Sequence, residues 1–268
     1  MKYEAMLREM FKGVDLAVED LFLLERFQIS YLPDRAPHRE FAAVLWANPI
    51  IKNFLITKYP PIEDFINDIL NRFAPAADQD KLIEYSDRLV WEIADQFVYV
   101  KYPEVYDERA DIDLDLEKAI PEISLENKVV IDAGAGTGFI AFAAAKTADL
   151  VFAVEPITSL RQYIRKKAIN TNTKNLYSID GFLHAIPLPD RFADVLITMR
   201  AIGWQLEDEL NEIERVVKKS GYAIHLGAES DDEIGASLHN NLVSTKWGYR
   251  CLKYKDRDDW KVRYVKQT

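Results

Sequence analysis

The residues best suited to chemistry lie in one short stretch, Lys128 to Lys146. In it Asp132 is followed by glycine at every second position, Gly134, Gly136 and Gly138. Glycine permits positive φ and lacks a Cβ atom, so a ligand can approach the backbone closely there. A β-branched run precedes the glycines and a small, apolar run follows them, which predicts a strand, a loop and a helix. The N–H groups at the start of that helix would face a ligand in the loop, so the turn suits a nucleotide-like molecule.

Two common nucleotide-binding patterns do not fit this spacing. The dinucleotide pattern G-x-G-x-x-G needs its third glycine at position 139, which is Phe139. The phosphate-binding pattern G-x-x-x-x-G-K-[ST] needs a Lys followed by Ser or Thr, and neither pair follows the glycines. Because Asp132 would repel a phosphate, a ligand that carries a cationic group fits the loop better.

The pattern Asp132-x-Gly134-x-Gly136-x-Gly138 resembles the first motif of the Rossmann-like (class I) methyltransferases that use S-adenosylmethionine. That cofactor has an ammonium group, a sulfonium and an adenosine, and no phosphate. The resemblance implies that Asp132 orients the loop and accepts hydrogen bonds near the ammonium group. An ordinary glycine turn between a strand and a helix is the alternative interpretation of the same residues.

A second acidic residue supports the resemblance. Glu155 directly follows the next predicted strand, Leu150 to Val154, about 20 residues beyond the glycines. In Rossmann-like folds an acid at this place accepts hydrogen bonds from both ribose hydroxyls. The alternative is an acid that stabilises the start of a helix, and with the glycine loop present we favour the ribose role.

A third segment extends the resemblance to the methyltransferase branch that includes quinone-biosynthesis enzymes. Asp180-Gly181 follows the third predicted strand, the run 186–190 reads Ile-Pro-Leu-Pro-Asp, and 192–195 reads Phe-Ala-Asp-Val. The gap from Asp180 to the run is longer than in that branch, and an alanine separates the phenylalanine from the aspartate. Either Asp180 or Phe182 is therefore expected to contact the adenine.

The fourth predicted strand, Asp194 to Thr198, leads into Met199–Trp204 at the edge where open α/β sheets bind ligands. The methyl group is expected to point there. Arg200 is an unusual neighbour for a sulfonium, so it is expected to use its backbone or to contact an anionic part of the substrate. His184 is a candidate general base, although a lone histidine is more often structural, and no catalytic residue is nominated. The expected cofactor-binding residues are Asp132, Gly134, Ala135, Gly136, Gly138, Glu155, Pro156, Asp180, Gly181, Phe182 and Arg200.

These residues would sit on an α/β fold, a Rossmann-like, mostly parallel seven-stranded sheet with a terminal antiparallel hairpin strand, plus an N-terminal all-helical domain. Five strands and intervening helices, among them 205–219 and 231–246, precede two final runs, 248–255 and 260–266. The turn-like segment 256–259 separates those two runs. Gly221 is expected to end the helix 205–219 in the left-handed conformation.

The chain is predicted to form two domains, a helical domain at residues 1–110 and an S-adenosylmethionine-binding methyltransferase domain at residues 111–268. The first contains a single glycine and is rich in apolar residues at helical spacing, which predicts four to six short helices separated by prolines. It carries no cofactor motif, so we expect it to serve as a substrate cover. Residues 111–116 are expected to be a linker that enters a short helix.

Composition narrows the choice of partners. A net charge of −10 and a pI near 5.0 argue against nucleic acid as a substrate and suit a neutral or cationic small molecule. Cys251 is the only cysteine, which excludes an intrachain disulfide and a multi-cysteine zinc site, and no metal is expected. No signal segment or membrane span is found in the sequence, so a cytoplasmic location is expected.

Taken together, the sequence predicts an enzyme that transfers a methyl group from S-adenosylmethionine to a small-molecule nucleophile. An NAD-dependent Rossmann oxidoreductase and a non-catalytic module that binds S-adenosylmethionine are the alternatives. The sequence does not indicate the oligomeric state or the identity of the methyl acceptor.

Overall fold

The computed structural model describes residues 2–109, 115–228, 233–256 and 259–268. The chain forms two compact units, residues 1–111 and 112–268. The predicted domain boundary and most of the predicted linker, positions 110–114, lie outside the described residues. The linker was expected to enter a short helix, and Leu116–Ala119 is that helix, with the Asp115 carboxylate accepting a hydrogen bond from the Lys118 N–H (3.3 Å).

The first unit is helical, but the expected number of helices is wrong. Among its described residues there are nine α-helices and two short 3-10 segments, Val18–Leu23 and Pro60–Ile62. Prolines here begin helices as well as separate them, since Pro49 and Pro103 are the first residues of their helices and the fixed φ of proline suits that position. The helices are α1 (Lys2–Met10), α2 (Arg26–Ser30), α3 (Leu32–Arg35), α4 (His38–Ala47), α5 (Pro49–Lys58), α6 (Glu63–Arg72), α7 (Gln79–Glu92), α8 (Ala94–Lys101) and α9 (Pro103–Arg109).

The second unit contains a seven-stranded sheet in the order β3-β2-β1-β4-β5-β7-β6. The pairings among β1 to β5 are all parallel, whereas β7 runs antiparallel to both β5 and β6. This arrangement confirms the predicted fold class. The strands are β1 (Val129–Ala133), β2 (Leu150–Val154), β3 (Leu176–Ile179), β4 (Ala193–Met199), β5 (Val217–Ala228), β6 (Arg250–Asp256) and β7 (Asp259–Gln267).

Helices cover both faces of this sheet, and each face has its own apolar core. The helices of the unit are α10 (Leu116–Ala119), α11 (Phe139–Ala144), α12 (Thr158–Asn170), α13 (Leu206–Val216) and α14 (Glu233–Leu242). The predicted start of α14 at position 231 and the middle of the predicted turn 256–259 lie outside the described residues. Within the described ranges, no helix combines the length and the apolar character needed to cross a bilayer.

The predicted end of α13 at Gly221 is wrong. The helix ends at Val216, and β5 begins at the next residue and runs through Gly221. The positive φ belongs to Ser220 (+66°) instead. Gly221 is needed for packing, because a Cβ atom there would lie 2.7 Å from the carbonyl oxygen of Asp194 on the neighbouring strand.

Candidate functional site

The carboxyl ends of four parallel strands bring the predicted site residues to one edge of the sheet. Ala133 at the end of β1 pairs with Val154 at the end of β2, which pairs with Ile179 at the end of β3. The next strand outward, β4, ends at Met199, paired with Leu226 of β5. The residues after these strand ends, including Gly134, Glu155, Asp180 and Arg200, therefore share the edge at which open α/β sheets bind ligands.

The segment 132–138, called the glycine loop below, has the backbone conformation that its glycines predict. Gly134, Gly136 and Gly138 all have positive φ, of +72°, +55° and +83°. A Cβ atom on Gly134 would lie 2.4 Å from the Cβ atom of Ala201, whereas one on Gly136 would meet no atom within 4 Å. The backbone at Gly136 therefore faces open space, which is what a ligand lying against the loop requires.

Asp132 holds the loop against the helix that follows it. Its Oδ2 atom accepts a hydrogen bond from the N–H of Ala141 in α11 (2.9 Å), and the side chain is buried. Burial raises the pKa of this carboxyl from 3.8 to about 7, with a further contribution from the nearby charge of Glu155, while the bond from Ala141 opposes the increase. A cationic group bound nearby would favour the ionised carboxylate.

Glu155 ties the glycine loop to the segment after β2. Its Oε2 atom accepts a hydrogen bond from the Gly136 N–H (2.8 Å), and its Oε1 atom accepts one from the Ile157 N–H (2.9 Å). The carbonyl oxygen of Pro156 accepts a hydrogen bond from Arg161 (2.7 Å), which also fixes this turn. Glu155 therefore lies against the open part of the loop, and a ribose hydroxyl would take the position that the Gly136 N–H has at Oε2.

The segment after β3 combines an exposed acid with an aromatic pair. Asp180 is exposed, and the Phe182 ring stacks on His184, with centroids 5.2 Å apart and an interplanar angle of 14°. A Cβ atom on Gly181 would lie 2.7 Å from Pro187 Cδ and 2.9 Å from Val154 Cγ1, so packing within the protein already requires glycine here. Both Asp180 and Phe182 stay candidates for the adenine contact.

The Ile-Pro-Leu-Pro-Asp run 186–190 is anchored to α13. Arg215 donates hydrogen bonds to the carbonyl oxygens of Ile186 and Leu188 (both 2.9 Å) and to Asp190 (2.7 Å). Glu212 accepts from the Ile186 N–H (2.6 Å) and pairs with Arg215, and this side-chain bond keeps the Glu212 pKa below its usual value. The run that carried the family resemblance therefore has a structural role in positioning the strand that follows.

The segment after β4 is held by a carboxylate that the sequence analysis missed. Glu209, buried in the first turn of α13, accepts hydrogen bonds from three consecutive N–H groups, Gly203 (2.7 Å), Trp204 (3.2 Å) and Gln205 (3.0 Å). Arg200 at the strand end has a φ of +55°, uncommon for a residue with a side chain, and its N–H donates to the Leu226 carbonyl oxygen (3.1 Å). The chain is thus fixed on both sides of Ala201, which contacts the glycine loop.

A cavity of roughly 600 Å³ opens beside this segment and is called the β5 cavity below. It is lined by residues of α14, β5, β6 and β7 and, after β4, by Arg200 and Ile202. These two residues flank Ala201, whose Cβ atom occupies the space over Gly134. The cavity therefore lies next to Ala201, which contacts the glycine loop at Gly134.

The β5 cavity contains polar groups that the sequence analysis did not single out. His225 of β5 is paired in register with Tyr264 of β7, and Tyr264 with Cys251 of β6, so their side chains share one face of the sheet. His239 of α14 lies over this row, with its Nδ1 atom 3.0 Å from the Tyr264 hydroxyl. His184, the base candidate from the sequence, is not among the residues that line the cavity. No grouping of three or more His, Cys, Asp or Glu able to hold a metal ion occurs within the described ranges.

Comparison with known proteins shows a match to a methyltransferase family and similar folds among solved structures. Residues 131–225 match the family described as "Methyltransferase domain". An S-adenosylmethionine-dependent methyltransferase from Aquifex aeolicus is 20% identical, with a TM-score of 0.52 over 61% of this chain and 97% of that one. The YcgJ protein of Bacillus subtilis is 22% identical, with a TM-score of 0.41, and the match covers 47% of this chain and 55% of that protein. No curated protein matches the sequence.

The family match and the fold shared with the Aquifex protein support a class I S-adenosylmethionine-dependent methyltransferase domain. Both findings imply S-adenosylmethionine as the methyl donor. The residues present fit this cofactor, because the backbone at Gly136 is open to a ligand, the Glu155 carboxylate lies against it, and Asp132 at the start of the loop supplies a second carboxylate.

Proposed function

We propose that the protein transfers the methyl group of S-adenosylmethionine to a small-molecule nucleophile. The observation that carries this proposal is the β5 cavity, which adjoins the glycine loop at Ala201. Its volume is in the range of small-molecule sites, which are roughly 300–1,000 Å³, and its lining is mainly apolar with a few polar groups.

The cofactor contributes an electrophilic methyl group on a sulfonium, and the protein has to bind, orient and dehydrate the reactants. We assign the two ribose hydroxyls to Glu155 and Pro156, the ammonium end to Asp132 and the loop 134–138, and the adenine to the segment Asp180–Phe182. Arg200 and Ala201 would lie beside the transferred methyl group. In-line attack requires that nucleophile, carbon and sulfur be collinear, so the acceptor would approach from the β5 cavity.

Four further assignments remain predictions. Membership of the branch that includes quinone-biosynthesis methyltransferases rests on the sequence of residues 186–195 alone. The role of residues 1–110 as a substrate cover rests on their apolar composition and on the lack of a cofactor motif. The cytoplasmic location rests on the sequence, and the acidic composition is the support for excluding nucleic acid as the acceptor.

Replacement of Glu155 tests the cofactor site. Glu155→Gln removes the charged acceptor for the ribose, and hydrogen bonds to charged groups contribute about 1.5–3 kcal/mol, so S-adenosylmethionine should bind roughly 10- to 100-fold more weakly by calorimetry. Asp149→Asn is the matched control, because Asp149 is exposed and precedes the same strand, β2, that Glu155 follows. Equal affinities of the two variants would contradict the assignment.

Titration with NAD beside S-adenosylmethionine separates the oxidoreductase alternative, since tight binding of NAD alone would overturn the proposal. Transfer of labelled methyl to a metabolite extract, with RNA and protein fractions in parallel, then tests catalysis. Label in the small-molecule fraction is expected. Label confined to RNA or protein, or cofactor binding without transfer to any fraction, would contradict a small-molecule methyltransferase.

A further inference from the structure

The β5 cavity contains a hydrogen-bonded pair of side chains that can move a proton. His239 Nδ1 and the Tyr264 hydroxyl are 3.0 Å apart, and both residues line the cavity and are partly buried. When Nδ1–H donates to the tyrosine oxygen, Nε2 is the nitrogen that accepts a proton from a bound molecule. The bond to Tyr264 fixes the ring and stabilises the imidazolium that forms.

A second histidine of the cavity has one ring nitrogen without a partner. His225 is buried, and its Nδ1 is hydrogen bonded to Thr198 Oγ1 (2.8 Å), but Nε2 has no hydrogen-bond partner among the described residues. A buried polar atom without a partner costs about 1–3 kcal/mol.

The other lining residues indicate the chemical character of the ligand that the cavity suits. Ile202, Leu238, Leu242 and Val262 present apolar surface. Among the described lining residues the charged side chains, Arg200 and Lys253, are both cationic. Such a lining suits a flat, largely apolar molecule, and the positive charges favour an oxygen that becomes negative as it loses its proton.

From this juxtaposition we infer that the β5 cavity binds a phenol-type acceptor, that His239 is the catalytic base for its hydroxyl, and that Tyr264 is the positioning residue of that base. The inference rests on the proposed methyl transfer. The proton of the acceptor O–H passes to His239 Nε2 and the new O–CH₃ bond forms. The C–S bond of the sulfonium breaks with its electron pair on sulfur, and His239 then returns the proton to solvent.

Several titratable groups line the cavity and can affect the pH dependence of methyl transfer. Arg200, His225, Cys251, Lys253 and Tyr264 line it together with His239. Burial lowers the pKa of His225 to about 3, so His225 is neutral throughout the range in which His239 acts as a base. Methyl transfer from the wild type to phenol should therefore fall at acidic pH, because a protonated imidazole cannot accept a proton from the acceptor.

A chromogenic phenol tests the base without relying on turnover. Para-nitrophenol absorbs visible light only as the phenolate, so in buffer below its own pKa the full-length protein should bind it and produce phenolate absorbance. His239→Gln should abolish that absorbance while calorimetric affinity changes little. Tyr264→Phe should reduce it, because the ring loses its orienting bond. Asn241→Ala changes an exposed residue of the same helix whose side chain donates a hydrogen bond to the Ser237 carbonyl oxygen, and this variant should behave like the wild type.

The same variants also test the rate of methyl transfer to phenol. Transfer to phenol should fall by roughly 100-fold or more in His239→Gln, with loss of the acidic limb of the pH profile. Phenolate absorbance that persists in His239→Gln, or no saturable binding of para-nitrophenol to the wild type, would overturn the inference. Calorimetry with S-adenosylmethionine on the same samples shows whether the cofactor site is intact, so failure of the base is distinguishable from failure of the proposed methyltransferase function.

Discussion

The glycine loop and the β5 cavity are adjacent at Ala201 but are built in different ways. The loop is formed by consecutive residues after one strand, and the distant side chains described above as contacting it are Glu155 and Ala201. The cavity is lined by residues of β5, β6, β7 and α14 and of the segment after β4, from positions as far apart as Arg200 and Tyr264. In the proposed function, a local backbone motif would bind the cofactor, and side chains that only tertiary structure brings together would bind the acceptor.

Gly134 is where the two regions touch, and its replacement should have the largest effect. Gly134→Ala would place a Cβ atom 2.4 Å from Ala201 Cβ at a φ of +72°. We expect the free energy of unfolding to fall by about 2–4 kcal/mol and S-adenosylmethionine binding by at least about 100-fold. Para-nitrophenol binding should weaken too, because Ala201 continues into the cavity. Urea unfolding and calorimetry measure the three effects.

Gly136→Ala is the control for that variant. Its φ is also positive, at +55°, but its Cβ atom would meet nothing within 4 Å. Stability should therefore fall by only about 1 kcal/mol, whereas cofactor binding should be lost because the methyl group fills the space that the ligand needs. Equal stability losses in the two variants, or normal cofactor binding by Gly136→Ala, would contradict the claim that Gly134 is needed for packing and Gly136 for the ligand.

Asp132 should give the glycine loop a pH signature of its own. Its pKa is 3.8 before folding effects and about 7 when buried, so between these values the folded protein holds a proton that the unfolded chain has released. The contribution of Asp132 to stability therefore falls as the pH rises from about 4 to about 7, by a few kcal/mol in total, and is constant above that. Asp132→Asn lacks this loss.

Urea unfolding of the wild type and Asp132→Asn across this pH range measures the effect, because the two proteins differ only at this side chain. The stability of the variant relative to the wild type should increase with pH and then level off. Parallel curves would mean that the carboxyl is not buried as described.

The smallest of these effects concerns the segment that joins the two regions. Glu209→Ala removes the acceptor of three N–H groups at positions 203–205 and should lower the free energy of unfolding by about 1–3 kcal/mol. It should also weaken para-nitrophenol binding more than cofactor binding, because Ile202 of the cavity precedes this segment.

Glu207→Ala is the comparison for that variant, since Glu207 lies in the same helical turn but is 71% exposed and pairs with Lys246 at the surface. Such pairs contribute at most about 1 kcal/mol. A loss as large as that of Glu209→Ala would show that the three backbone bonds do not hold the segment.

The contrast between a local loop and a cavity built by tertiary contacts explains which features could be predicted from the sequence. A parallel sheet follows from strand and helix alternation, and the loop at 132–138 and the acid at 155 are local patterns, so these features were predictable. The row His225–Tyr264–Cys251 depends on the antiparallel register of β5, β7 and β6, and the contact of His239 with it depends on how α14 packs. No local pattern encodes either. Gly221 was misassigned because a glycine required by a neighbouring strand and one required by a helix end look alike in sequence.

The most direct test of the account is a crystal structure of the full chain with S-adenosylmethionine. We predict the cofactor on the glycine loop, its ribose hydroxyls on Glu155 in place of the Gly136 N–H, and its methyl group directed past Ala201 toward the β5 cavity. A cofactor bound elsewhere, or a Glu155 carboxylate that keeps its bond to Gly136 while the ribose lies on other residues, would contradict the account.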